Sequence, residues 1–227
     1  MISAIIVAAG RGTRMGPNVD KIFLQLNGCP VVGHTWQSFE RCRMIDSIVL
    51  VVREGMQESL ATLGRELGFV KPCKIIAGGK ERQDSVWNGL EALDAGCEIV
   101  AIQDAARPCT DSDLIEATIA AARQTGASVA ARRVTDTIKE SHDGQIIVKT
   151  LDRNVLWSVQ TPQTFQVNLI RRALREVRRR GIVVTDDTAA CELIGEPVRL
   201  VPGKKPNPKV TNPEDVPYVE LILRSRR

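Results

Sequence analysis

The chain has 227 residues, 43% hydrophobic and 26% charged, with 31 Lys and Arg against 27 Asp and Glu. That excludes global disorder, because there is ample apolar material to offset chain entropy, and no apolar run approaches the roughly 18–20 residues of a membrane span. A formal charge of +4 with only 4% aromatic residues also argues against nucleic acid as a partner, since such binders carry a stronger basic bias and often stacking rings.

In chain order, SAIIVA (3–8), SIVLVV (47–52), CKIIA (73–77), EIVAIQ (98–103) and ASVAARR (127–133) predict strands. They are nearly continuous in apolar character, as expected of parallel strands covered on both faces. Helical periodicity falls between them at 31–42, 56–67, 82–93 and 112–125, the last with Thr110, Asp111 or Ser112 as its N-cap. This alternation predicts an α/β fold with a mostly parallel sheet. The pattern changes after about residue 134, where VTDTIKESHDGQIIVKTLDR reads as two strand-like pieces around a His142-Asp143-Gly144 turn, a hairpin that would protrude from the sheet. Helical patterning resumes at 167–180 and 187–193, and a short strand is expected at 198–201. The Pro/Lys-rich loop PGKKPNPK and a last helix from about Pro213 follow. The segments DRNVLW (152–157), QTPQTF (160–165), VTDD (184–187) and NPKVTNPED (207–215) read as loops. One domain over 1–227 with an arm at 134–156 is the economical organisation.

Six cysteines form no CxxC pair and no Cys/His metal spacing, and the N-terminus lacks a secretory leader. Reduced, mostly buried thiols in a cytoplasmic protein are therefore expected. Arginines cluster at RRALREVRRR (171–180) and at Arg224, Arg226 and Arg227. The first cluster reads as the solvated face of a helix whose Ile170, Ala173, Leu174 and Val177 turn inward.

The strongest chemical signal is AAGRGTRMG (8–16), placed directly after the first strand. Glycines let the backbone approach a ligand and direct N–H groups at it, and Arg11, Arg14 and Lys21 add positive charge. These are the ingredients of a phosphate cradle, although neither the P-loop nor the dinucleotide spacing is present; the alternative is a flexible connector. A second glycine pair opens GGKERQDS (78–85), where Ser85 or Asp84 could begin a helix or contact a base. IQDAARP (102–108) puts Asp104 just past a strand end, where ligands sit in open α/β sheets. A carboxylate facing a phosphate cradle suits Mg²⁺; the alternative is a cap for the turn, with Arg107 as its ion-pair partner.

Taken in order, AAGRGTRM…DK, GGKERQDSV, QDAARP, TDTIK, DRNVLW, QTPQTF, TDD and KVTNPED resemble the 2-C-methyl-D-erythritol 4-phosphate cytidylyltransferases over nearly the whole chain. The resemblance implies a Rossmann-like nucleotidyltransferase fold with a protruding β-arm that builds a homodimer. It implies transfer of a cytidylyl group from CTP to the polyol phosphate with loss of pyrophosphate, in the non-mevalonate isoprenoid pathway and with Mg²⁺. Arg14, Lys21 and Lys209 would act on the phosphates. Ala8, Ala9, Gly10 and Gly12 would hold the nucleotide, Gly79 and Ser85 would read cytosine, and Asp104 with Ala105 would lie near the ribose, Asp104 also holding the metal. Thr137 and Arg153 on the arm would serve the neighbouring subunit's polyol site, which Arg107, Thr161 and Thr185 would complete. Two departures stand out: Asp20 replaces the usual Pro before Lys21, and Gln103 replaces a frequent His before Asp104. A carboxylate beside the lysine would lower its effective charge unless Asp20 points away. The rival readings are a ribitol-5-phosphate cytidylyltransferase and a non-catalytic nucleotide-binding module.

Overall fold

The apolar runs become strands because alternate side chains find cover on opposite faces of one sheet. In the computed structural model, which describes residues 1–10, 12–16 and 20–226, the chain opens with β1 (Ile2–Ala8). A small hairpin, β2 (Gln25–Leu26) with β3 (Cys29–Pro30), leads into α1 (Val31–Arg41). Then come β4 (Ser47–Val52), α2 (Gln57–Glu66), β5 (Cys73–Ala77), α3 (Arg82–Glu91), β6 (Ile99–Asp104), α4 (Ser112–Thr125) and β7 (Ala127–Arg133). The expectations placed on Arg11 and Arg227 lie outside the described residues.

Beyond β7, β8 (Lys139–Glu140) pairs antiparallel with β9 (Lys149–Thr150), so the expected hairpin forms with a longer loop than a tight turn at 142–144 would give. Asp143 organises that loop, its Oδ1 accepting from the backbone N–H groups of Gln145 and Ile146 at 2.8 and 2.9 Å. The chain then runs through β10 (Trp157–Gln166), α5 (Val167–Arg180), α6 (Asp187–Leu193), β11 (Arg199–Pro202) and α7 (Asp215–Arg224).

Among the described residues, seven strands form one sheet in the order β11-β7-β10-β6-β1-β4-β5. Only β10 runs against its neighbours β6 and β7; the others share one direction. β10 corrects the reading of QTPQTF (160–165) as loop and takes in Trp157 at the end of DRNVLW. Its Pro162 and its run of Ser, Gln and Thr conceal it, because both features argue against a central strand. The structure accommodates them with a register shift between Val159 and Gln163. Its buried polar side chains find distant partners, as when the Thr164 and Thr118 hydroxyls meet at 3.0 Å.

Ile2, Ala4 and Ile6 of β1 join Trp36 and Phe39 of α1 and Ile115 and Ile119 of α4 on one face. Ile5 turns the other way, onto Val86 and Leu90 of α3 and Ile170, Leu174 and Val177 of α5. This period-two division makes the sheet doubly wound. The inward residues expected for α5 are buried, and all its arginines but the half-buried Arg171, which lies against Glu91 of α3, face outside: Arg179 and Arg180 pair with Glu176, and Arg178 covers the Trp87 ring at 4.8 Å. Asp111 proves to be the cap of α4, accepting from the Leu114 N–H at 3.0 Å. Cys42, Cys109 and Cys191 are buried, and Cys29, Cys73 and Cys97 half-buried. No helix among the described residues is long and apolar enough to cross a membrane.

Candidate active site

From β1 the chain winds outward to β4 and β5, then returns to place β6 on the other side of β1. That reversal opens a crevice at the C-terminal strand ends, the usual ligand position in such sheets. Ala8 to Gly10, Gly79, Ser85, Asp104, Ala105, Lys21 and Lys209 all line one pocket there.

The glycine loop is shaped by steric demand. Gly12 has φ +63°, and a Cβ on it would come within 3.0 Å of the Lys21 stem, so the loop folds directly over that side chain. Met15 is buried with Val210, Val219 and Ile222 of the C-terminal segment, and this anchors the exposed Arg14 beside it. On the facing side, a Cβ at Gly78 would stand 2.5 Å from the Ala9 Cβ and 2.7 Å from Ser85 Oγ. Ser85 Oγ accepts from the Gly79 N–H at 3.1 Å, so it closes the glycine turn. Glu81 caps α3, its N–H donating to Asp84 Oδ2 at 3.1 Å; thus neither Asp84 nor Ser85 begins the helix.

Asp104 is the centre of the charge network. Arg82 Nε donates to its Oδ1 at 3.2 Å and Lys209 Nζ to its Oδ2 at 2.7 Å, while Arg107 Nε stands 4.0 Å away. Burial opposes ionisation, but Arg82, then Lys209, then Arg107 outweigh it and hold the carboxyl well below the usual range. Asp104 is thus not a turn cap through its side chain. Arg107 instead donates through Nη1 to the Asn207 carbonyl at 2.8 Å. Asn207 continues the stitching, donating to the Thr161 carbonyl at 2.9 Å, and Thr161 Oγ1 accepts from the Asp104 N–H at 3.1 Å. These bonds fix the loops that carry Arg107 and Lys209 against β6 and β10.

Lys21 is held below the ordinary lysine range, first by burial and then by the positive charges of Lys209 and Arg14. Asp104 and Asp20 act in the opposite direction, Asp20 the more weakly. The neighbouring carboxylate therefore does little to Lys21, because Asp20 pairs with Arg53. Gln103 is buried, donating through Nε2 to Thr110 Oγ1 at 2.9 Å, so it braces the loop after Asp104.

Other expected residues lie outside the lining. Gly12, Arg14, Arg107 and Thr161 support it from the sides as described, and Thr185 is exposed just before α6. Thr137 and Arg153 stand exposed on the arm, where Arg153 Nη1 donates to the Thr135 carbonyl at 2.8 Å. Sequence reasoning missed Arg82 and Asp187. Arg82 lines the pocket and joins the two carboxylates, donating through Nη1 to Asp187 Oδ2 at 2.8 Å. Both sit inside segments singled out in the sequence, GGKERQDS and VTDD, but nothing along the chain marks the two as partners.

The pocket can bind a polyanion through cations and backbone N–H groups. A divalent cation also suits it: Asp104 is kept ionised beside two lysines, and Mg²⁺ commonly takes one or two carboxylates and leaves its other positions to water and substrate phosphate.

Comparison with known proteins decides the family. The family model for 2-C-methyl-D-erythritol 4-phosphate cytidylyltransferase, IspD, matches residues 2–225. The chain belongs to that family. The Alkaliphilus oremlandii 2-C-methyl-D-erythritol 4-phosphate cytidylyltransferase is 45% identical over 226 residues, covering 99% of this chain and 96% of that protein. The Geobacillus kaustophilus enzyme of that name is 43% identical over 223 residues, 98% of this chain and 97% of its own. Among solved structures, the 4-diphosphocytidyl-2C-methyl-D-erythritol synthase of Anaerococcus prevotii superposes with a TM-score of 0.87 at 31% identity, covering 98% and 96% of the two chains. The Thermus thermophilus 2-C-methyl-D-erythritol 4-phosphate cytidylyltransferase gives 0.81 at 28% identity, covering 99% and 100%. The chain is therefore a CTP-dependent cytidylyltransferase of isoprenoid synthesis acting on 2-C-methyl-D-erythritol 4-phosphate; the ribitol phosphate and binding-module readings fall.

Proposed function

We propose that the pocket at the ends of β1 and β6 carries this reaction through Arg14, Lys21 and Lys209, with the polyol phosphate completed by the arm of a second copy. The observation that supports it most is the convergence of Lys21 and Lys209 on the crevice between the glycine loop and Asp104. The attacking phosphate is already an anion, so the step requires no general base. It requires two mutually repelling anions to be held in line and the charge of the departing pyrophosphate to be balanced. Ala8, Ala9, Gly10 and Gly12 hold the nucleotide phosphates, Gly79 and Ser85 the cytosine, and Ala105 the ribose. The exposed Arg14 closes over the phosphates opposite Lys21. Asp104 would hold Mg²⁺, which would supply neutralisation of phosphate charge and orientation of the leaving group.

The polyol phosphate lies toward Arg107, Thr161 and Thr185, and receives Thr137 and Arg153 from the partner's arm. In support, the arm residues 134–156 present Ile146, Ile147 and Val148 at 71, 58 and 53% exposure, an apolar run left open by the described residues of its own chain. The buried thiols of Cys42, Cys109 and Cys191 suit the cytoplasm.

Pyrophosphate release from CTP, Mg²⁺ and the polyol phosphate tests these roles. Lys21→Ala and Arg14→Ala should each lose activity on the order of 10²–10³-fold, by analogy with lost oxyanion contacts. Near-wild-type turnover in both would overturn the assignment.

A further inference from the structure

Both oxygens of Asp104 carry a cation, Arg82 on Oδ1 and Lys209 on Oδ2. Arg107 Nε also stands 4.0 Å from Oδ2. Each oxygen keeps a free lone pair, but a divalent cation brought beside either one meets the positive charge already there, and the less firmly held cation yields. Arg82 and Lys209 are held very differently. Lys209 ends a flexible stem, is about a third exposed (34%), and has Asp104 as its carboxylate partner. Arg82 is gripped at its other end by Asp187, whose side chain is fully buried (0%). Asp187 is fixed in turn, since its N–H donates to Gln163 Oε1 at 3.0 Å and its neighbour Asp186 caps α6 through the Ala189 N–H at 2.9 Å. Its own Oδ1 is buried without a hydrogen-bond partner among the described residues. A carboxylate left half satisfied in the interior is costly, and the contact that compensates for it is the guanidinium of Arg82.

We propose that Asp187 is a positioning residue for metal-dependent nucleotide binding: it locks Arg82 onto one oxygen of Asp104, so that Lys209 is the exchangeable partner and its oxygen is the one ceded to the divalent cation. Lys209, once displaced, is free to meet the incoming phosphates. Without Asp187, Arg82 has no competing anchor, can turn its fork onto both oxygens of Asp104, and competes with the metal. The proposal rests on the reading of Asp104 as the metal carboxylate.

The test is calorimetric titration of CTP into the whole protein, once with Mg²⁺ and once with EDTA, without polyol phosphate. Wild type should bind CTP more tightly with Mg²⁺. In Asp187→Asn that gain should collapse toward unity while affinity in EDTA is unchanged, a separation that general damage to the pocket would not produce. The Mg²⁺ concentration for half-maximal pyrophosphate release should rise about tenfold or more, the usual range for residues that orient a metal ligand. Should Asp187→Asn fail to fold, Asp187→Leu provides the same test, because an apolar side chain of similar size leaves no unsatisfied buried polar group and gives Arg82 no second carboxylate. An undiminished Mg²⁺ gain in the folded variants overturns the proposal alone. A wild type with no Mg²⁺ gain overturns the metal role of Asp104, and this proposal with it.

Discussion

Around Asp104, segments distant in sequence are tied by short bonds: Arg82 from α3, Thr161 from β10, Asn207 and Lys209 from the loop before α7, and Asp187 behind them. The arm is tied to itself. Lys139 Nζ donates to Thr150 Oγ1 at 2.7 Å, Leu151 N–H to the Ile138 carbonyl at 3.0 Å, and Arg153 to Thr135, all within 134–156. One region is pre-organised by the fold, so that on meeting the nucleotide Lys209 alone has to change partner. The other keeps its apolar run outward, as the proposed contact with a second copy requires. The division suits a reaction with two anionic substrates, since the nucleotide needs rigid placement and the second substrate must enter.

The largest effect should come from breaking the rigid half. Lys21→Ala should lower kcat on the order of 10²–10³-fold, and Lys21→Arg sharpens the point through pH. The depressed pKa of Lys21 means its charge is lost as pH rises through a value below the usual lysine range, so kcat/KM should fall there. In the kcat profile, bound triphosphate favours the charged form and the fall moves to higher pH. Arginine stays protonated and should remove this limb.

Breaking the arm comes next. Ile147→Asp should leave the melting temperature of the subunit unchanged, because the side chain is 58% exposed, yet dissociate the proposed dimer. An apolar anchor at an interface contributes about 2 kcal/mol or more, roughly thirtyfold in affinity; light scattering reads the mass. Gly78→Ala should cost about 1–3 kcal/mol of stability by overpacking and raise the KM for CTP, since the added methyl presses Ala9 and Ser85 apart. The smallest effect belongs to neither region. Arg179→Ala with Arg180→Ala on the solvated face of α5 should leave both the melting temperature and turnover close to wild type, because exposed ion pairs contribute little.

Much of this was legible before any coordinates. β4, β5, β7, α4, α5 and α6 match their apolar periodicity residue for residue, because each buries a regular face against the sheet. The glycine loops and Asp104 were visible because backbone approach and strand-end carboxylates leave local marks. β10 was hidden, since Thr161, Gln163 and Thr164 are buried polar groups whose partners lie in α4, β6 and α6, and such satisfaction is invisible along the chain. Arg82 and Asp187 were missed for the same reason, as residues 105 positions apart carry no joint signal until the fold brings them to 2.8 Å.

In the proposed dimer one active site combines the rigid cluster of one copy with the arm of another. Subunit complementation tests it directly. Lys21→Ala and Arg153→Ala, each inactive alone, are mixed under conditions of subunit exchange, and pyrophosphate release is measured. Mixed dimers then carry one site with both defects and one with neither, so activity should return to about a quarter of wild type at equal mixing. A mixture no more active than the sum of its parts would contradict the shared site.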